Sequence, residues 1–264
     1  MTLDGRVKPA HGEEMNYSSR FWLYAPTALF LLLAAAVMLH WWTVASAFEK
    51  KLAALKGREA VPSITLNWDS VEVGGFPFRL EADFRNLRIA GQAAHGPFSW
   101  RSEKFALHGL TYGRSQDVYE AAGKQQVSWT DEKGQSHSGS FLTGSMRGSS
   151  IMGPQGLRRF DLDIAELGGP DFTLTRFQFH MRRGLDGNSL DLMVSTDGLP
   201  IGSKKLDHRQ LYVTLANAGP LMPLLRGEIS WPEAVERWRA EGGSQKLTND
   251  PGEQSLAELL KPLY

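Results

Sequence analysis

The chain has 264 residues, with 29 basic and 29 acidic side chains and no cysteine. Zero net charge removes the bulk attraction that nucleic-acid binders use, and the missing thiols exclude disulfides, thiolate metal sites and a cysteine nucleophile. Hydrophobic residues make up 42% of the chain, too many for a disordered polymer, so a folded unit with a sizeable core is expected.

The first recognisable element is a membrane anchor. Phe21 to Val44 contains no Asp, Glu, Lys or Arg, and its centre runs Leu29-Phe30-Leu31-Leu32-Leu33-Ala34-Ala35-Ala36-Val37-Met38-Leu39. About 20 apolar residues in a helix cross the ~30 Å hydrocarbon core of a bilayer. Phe21, Trp22 and Tyr24 at one end and Trp41 and Trp42 at the other read as two interfacial belts. Arg6, Lys8 and Arg20 precede the run, while Lys50, Lys51, Lys56 and Arg58 follow it, so charge does not choose an orientation. Ala45-Ser46-Ala47 fits a signal-peptidase site. The apolar run is longer than a signal core, which favours an uncleaved anchor. The plan that follows is a tail over residues 1–20, a transmembrane helix over 21–44 and a juxtamembrane helix and linker over 45–62. A β-rich domain over 63–243 and a polar stretch with a short helix over 244–264 complete it.

In the juxtamembrane part Phe48, Leu52 and Leu55 share one helical face, and Gly57 and Pro62 stop the helix. From Ser63 the period becomes two. In Phe76-Pro77-Phe78-Arg79-Leu80-Glu81-Ala82-Asp83-Phe84-Arg85 the apolar and polar residues fall on opposite faces of a strand. Pro77 removes a ladder donor, so that strand is expected at an edge or with Pro77 at its start. Further alternating runs are Ile64–Trp68, Phe160–Ile164, Phe172–Met181, Leu190–Val194 and Leu211–Leu215. In the third of these Arg176 shifts the phase, as a bulge would. Asp186-Gly187-Asn188 and Asp197-Gly198 mark turns. The Gly- and Ser-rich section Asp131 to Gly156 reads as long loops, an edge hairpin or both. One wet face implies a large curved antiparallel sheet or an open sandwich rather than a βαβ array.

Two helices are expected near the end. Ser230 to Glu233 forms a capping box ahead of Trp231, Ala234, Val235 and Trp238, with Gly242-Gly243 as the stop. Ser255 to Glu258 forms a second box before Leu259, Leu260 and Leu263, and Ser244 to Gly252 reads as a polar connection.

The string Val73-Gly74-Gly75-Phe76-Pro77-Phe78-Arg79 resembles the bacterial family known as domain of unknown function 2125. The likeness continues at Leu87-Arg88-Ile89, Gly96-Pro97-Phe98 and Asp117-Val118-Tyr119, and returns with Trp238, Gly242 and Gly243. The resemblance implies a cytoplasmic start, one anchor in the inner membrane and a periplasmic β-rich part. It also implies a distant likeness to AsmA-like envelope proteins, which are linked to lipid movement. Members usually carry further alternating strands after the Gly-Gly mark, and here only a polar stretch and a short helix remain.

No catalytic, metal or cofactor site is apparent. None of the seven histidines pairs at a ligand spacing, and no nucleophile elbow, phosphate loop or dinucleotide fingerprint occurs. Asp161-x-Asp163 offers two carboxylates on one strand face, and His180 lies between Phe179 and Met181. Both read as structural, the first as a wet face. Arg79 reads as a solvated side chain paired with Glu81 or Asp83, or as a headgroup contact. The expected function is non-enzymatic. The bilayer is engaged through residues 21–44, and a lipid or other apolar ligand lies in a groove of Phe76, Phe78, Phe84, Phe172, Phe177 and Phe179. The alternative is an envelope scaffold that docks a protein partner through Trp231, Trp238 and the last helix. No nucleic-acid partner is expected.

Overall fold

The computed structural model describes residues 17–93, 95–110, 116–169, 173–184, 186–199 and 207–249. The expected anchor and juxtamembrane helix form one continuous helix, α1 (Tyr17–Leu55), with Pro26 inside it and Ala45-Ser46-Ala47 within its last part. Among the described residues it is the one helix long and apolar enough to cross a membrane, and its apolar window is 6% buried. The helix ends where expected, at Gly57, whose φ is +70°.

The rest is a single antiparallel meander. Its strands are β1 (Arg58–Val61), β2 (Ile64–Asn67), β3 (Ser70–Gly74), β4 (Arg79–Ala93), β5 (Gly96–Leu110) and β6 (Gln116–Thr130). They continue as β7 (Ser136–Gly153), β8 (Gly156–Gly168), β9 (Thr173–Arg183), β10 (Ser189–Leu199), β11 (Asp207–Ala216) and β12 (Ser244–Asn249). Each strand pairs with the next along the chain, except that β2 and β3 both lie along the same edge of β4. A 3-10 turn over Gly219–Leu221, α2 (Met222–Leu225) and α3 (Trp231–Ala240) stand between β11 and β12.

Alternation carries one apolar face across the sheet in register. Val73, Ala82, Leu107, Tyr119, Gly148, Leu162, Phe179, Val194 and Leu211 stand opposite one another in successive strands. The expected bulge is present beside Arg176: Asp197 pairs with Arg176 but Gly198 with Leu174, leaving Thr175 as the extra residue.

Three expectations are corrected. Phe76-Pro77-Phe78 is not strand; it forms a turn, with a cis peptide before Pro77, and β4 begins at Arg79. The Gly- and Ser-rich section contains β7, the longest strand at 18 residues, in the middle of the sheet. Small residues are accommodated there because neighbours supply the bulk: the Tyr119 ring lies against Gly148. Ser244 to Asn249 pairs with β11 as an edge strand, and its polar residues suit an edge that must not recruit another chain. Asp161 and Asp163, read from the sequence as a wet strand face, each hold an arginine, as described below. The predicted helix after Ser255 lies outside the described residues.

Three clusters form the core. The end of α1 lies on the apolar face, where Leu52 packs with Trp68, Ala82, Phe84 and Leu87. A second cluster joins Leu190 to Ala218, Leu221, Met222, Ala234 and Trp238, and a third joins Val194, Leu211 and Val213. The segment that follows β11 also reaches the first strands: α3 contacts β4, and Gly227 lies against Val61. Those strands stand at opposite ends of the sheet order, so the sheet curls until its margins approach each other, as accumulated twist allows.

The Ser230 hydroxyl caps α3 by accepting from the Glu233 N–H. The stop has two parts. Gly242 has φ +77° with open space around it, while any side chain at Gly243 would overlap the Trp238 ring. Replacing Gly242 by alanine should therefore cost about 1 kcal/mol through backbone strain alone. Gly243→Ala should cost about 1–3 kcal/mol through displacement of Trp238, both read from urea unfolding. Leu52→Ala, in the part of α1 that belongs to the core, should cost about 2–4 kcal/mol in the same assay. A cost near zero would mean that the end of the helix is only a tether.

Candidate functional site

The apolar face carries a row of aromatic rings. Ring centroids are 5.2 Å apart for Trp68–Phe84, 6.0 Å for Phe84–Phe105 and 6.2 Å for Phe105–Tyr119. The row continues at 6.5 Å for Tyr119–Phe160 and 6.2 Å for Phe160–Phe179, all within the range of favourable ring pairs. Of the residues expected to line a groove, Phe84, Phe177 and Phe179 lie on this face. Phe172 lies outside the described residues. Phe105 and Tyr119 are not in the expected set; their strands β5 and β6 shift register between Ser102 and Lys104 and between Ala121 and Gly123, which interrupts the alternation that would report them.

Phe76 and Phe78 leave the groove set. They are 51% and 58% exposed and sit at the tip of the β3–β4 turn, beside the anchor. The Phe76 ring meets Trp41 edge-on at 5.5 Å, and Trp41 Nε1–H donates to the Arg79 carbonyl at 2.9 Å. Gly75 makes the turn possible: its φ is +96°, and a Cβ there would stand 2.7 Å from the Arg79 carbonyl oxygen. Gly74 has nothing within 4 Å. The Gly-Gly-Phe-Pro-Phe-Arg string is thus a docking turn that fixes the emerging helix to the start of β4. The Arg79 side chain pairs with neither Glu81 nor Asp83; Glu81 approaches His108 instead, at 3.3 Å.

Between α1 and the apolar face lies a cavity of about 510 Å³, within the size range of ligand pockets. Thr43, Val44, Ala47 and Phe48 form its helix wall, and Leu80, Leu107 and Gly109 its sheet wall. Lys51 and Asp117 are the charged residues at its margin. Burial raises the Asp117 carboxyl above the ordinary aspartate range. Leu107 belongs to the same cluster as Phe105, so the cavity adjoins the aromatic row.

Residues 41–252 match a family model described as an uncharacterised protein conserved in bacteria, domain of unknown function 2125. The chain belongs to this family. No curated protein and no solved structure matches it. The part shared with domain of unknown function 2125 opens at Trp41, the residue that docks on the signature turn, and passes beyond the Trp238, Gly242 and Gly243 stop into β12. Two of its marks, the Gly-Gly-Phe-Pro-Phe-Arg string and Trp238 with Gly242 and Gly243, coincide with the two places where a helix is fastened to the sheet. Trp238 is buried and its Nε1–H donates to the Ala216 carbonyl at 2.9 Å, so its indole serves the fold rather than an exposed contact.

The opposite face is wet and paired. Asp161 accepts from His180 at 2.6 Å and from Arg159 at 2.7 Å. Burial raises the Asp161 carboxyl, but the His180 and Arg159 hydrogen bonds outweigh it, leaving it below the ordinary range. Asp163 is lowered by its hydrogen bonds from Arg176. Among the described residues no group of three or more His, Asp or Glu side chains is placed to hold a metal.

The sign for Asp117 follows from its direction. A carboxyl raised by folding holds its proton more tightly in the native state, so the charged form at neutral pH opposes folding and acid relieves it. Asp117→Asn should raise the melting temperature at neutral pH, with the gain vanishing as pH falls into the carboxylate range. An equal gain at every pH would place the effect elsewhere.

Proposed function

We propose that this protein is a membrane-anchored binder, not an enzyme, that holds the apolar part of a lipid between its emerging anchor helix and the oily face of its sheet. The cavity carries this reading. It opens one residue beyond Trp42, where an anchor spanning ~30 Å of hydrocarbon would leave the bilayer. At that level an acyl chain can pass from the membrane onto Leu80, Leu107 and then the aromatic row without crossing water, whose exclusion drives such burial. Phe76 and Phe78 stand beside the Trp41 belt, exposed and apolar, as rings at a headgroup layer are. Asp163 with Arg176, Asp161 with His180 and Asp191 with Arg182 bond to one another across strands, which supports binding over catalysis. The family resemblance supports an inner-membrane anchor with the sheet in the periplasm.

The scaffold alternative needs Trp231 and Trp238 free to meet a partner, and the buried Trp238 favours the capping role. Full-length protein extracted in a mild detergent should retain lipid when analysed by native mass spectrometry. Ala47→Trp, which fills the cavity from an exposed helix position, should reduce that lipid to background while leaving the melting temperature unchanged. Wild-type protein that releases no lipid, or a variant with undiminished occupancy, would remove the proposal.

A further inference from the structure

The wet face contains a second concave surface that the apolar site does not use. We propose that the hollow around Arg88 and Arg101 binds a phosphate-class oxyanion, a reading independent of the apolar ligand.

Asn67, Arg88, Arg101, Gln126 and Ser140 stand opposite one another in β2, β4, β5, β6 and β7. They line a hollow of about 750 Å³. The row presents two guanidinium groups, two amides and a hydroxyl, and so is dominated by donors. Like charges directly opposite on neighbouring strands destabilise a sheet, yet Arg88 faces Arg101. Among the described residues neither guanidinium has a hydrogen bond or ion-pair partner. Asp69 also lines the hollow, and its carboxylate accepts from Asn86 Nδ2 at 2.7 Å. Glu59, in the adjoining depression that Arg88 shares, accepts from the Ser63 N–H.

Four other arginines on this face are paired. Arg147, Arg159, Arg176 and Arg182 each hold a carboxylate. A nearby hollow with Arg85 and Lys104 also contains Glu72, Asp83 and Glu120. The Arg88 and Arg101 pair is different: an oxyanion between them converts a repulsive pair into two forked, charge-assisted contacts. A phosphate-type group has the charge and oxygen count to engage two forks, where a single carboxylate fills one.

Arg88 stands about 30 Å along β4 from Arg79, at ~3.3 Å per residue, and Arg79 is where Trp41 docks. The expected source is therefore a soluble phosphorylated molecule rather than a headgroup of the anchoring membrane.

The test uses full-length protein in phosphatidylcholine nanodiscs, with inorganic pyrophosphate as one probe and phosphatidic-acid vesicles as the other. Pyrophosphate should raise the melting temperature in a saturable manner that chloride at equal ionic strength does not reproduce. Arg88→Gln with Arg101→Gln should abolish that rise. The double lysine variant, which keeps charge and fold but loses the forks, should bind about tenfold more weakly. Arg147→Gln, from a paired arginine on the same face, should bind as wild type does. Vesicle binding that the double glutamine variant loses would also support the site and assign its source to a headgroup. No response to either probe, or a response that the double glutamine variant keeps, overturns the proposal.

Discussion

A sheet one layer thick has an oily face that must be kept from water. That need governs the architecture. Apolar area left in water costs roughly 25 cal/mol per Å², and among the described residues two helical pieces lie on the face. The end of α1 covers the β3–β5 region through Leu52, and α2 and α3 cover the β10–β11 end through Trp238. Between them the sheet shields itself by curling, which brings α3 onto β4. The cavity at Ala47 lies where the helix lifts off that face.

The same periodicity that exposed the sheet in the sequence also set the limits of what could be read. Leu80, Ala82 and Phe84 fall on the core face as their alternation predicts, and the phase slip near Arg176 corresponds to the extra residue Thr175. Phe76 and Phe78 share that rhythm by coincidence. A backbone turn at Gly75 decides their position, and no count of apolar residues reports a turn whose purpose is to meet a distant helix. β7 was hidden because Gly148 and the serines around it lend no hydrophobic signal; the Tyr119 ring from the next strand fills their place. β12 was hidden because its partner supplies the apolar contact and its own surface faces water.

The two faces also divide the chemistry. Ring pairs linking six aromatic residues pack one side together, with the Tyr119 hydroxyl bonded to Ser150, while the other side alternates carboxylates with arginines and histidines from strand to strand. Each face has a dominant character, and two charged departures stand out. On the oily side the departure is Asp117, a carboxyl at the wall of an apolar cavity. On the wet side it is the facing pair Arg88 and Arg101. The family likeness takes in Asp117 and Arg88 as well as the fastenings of helix to sheet.

One consequence concerns α1. From Thr27 to Lys56 it contains neither glycine nor proline, and its last turns are wedged into the core. A helix seated in a bilayer and continued in this way is a rigid axle. In a bilayer, a tilt or rotation of such a helix would be passed on to the strands packed against its last turns. The first pivot after Pro26, Gly57, comes only after the axle is already locked to the blade it turns.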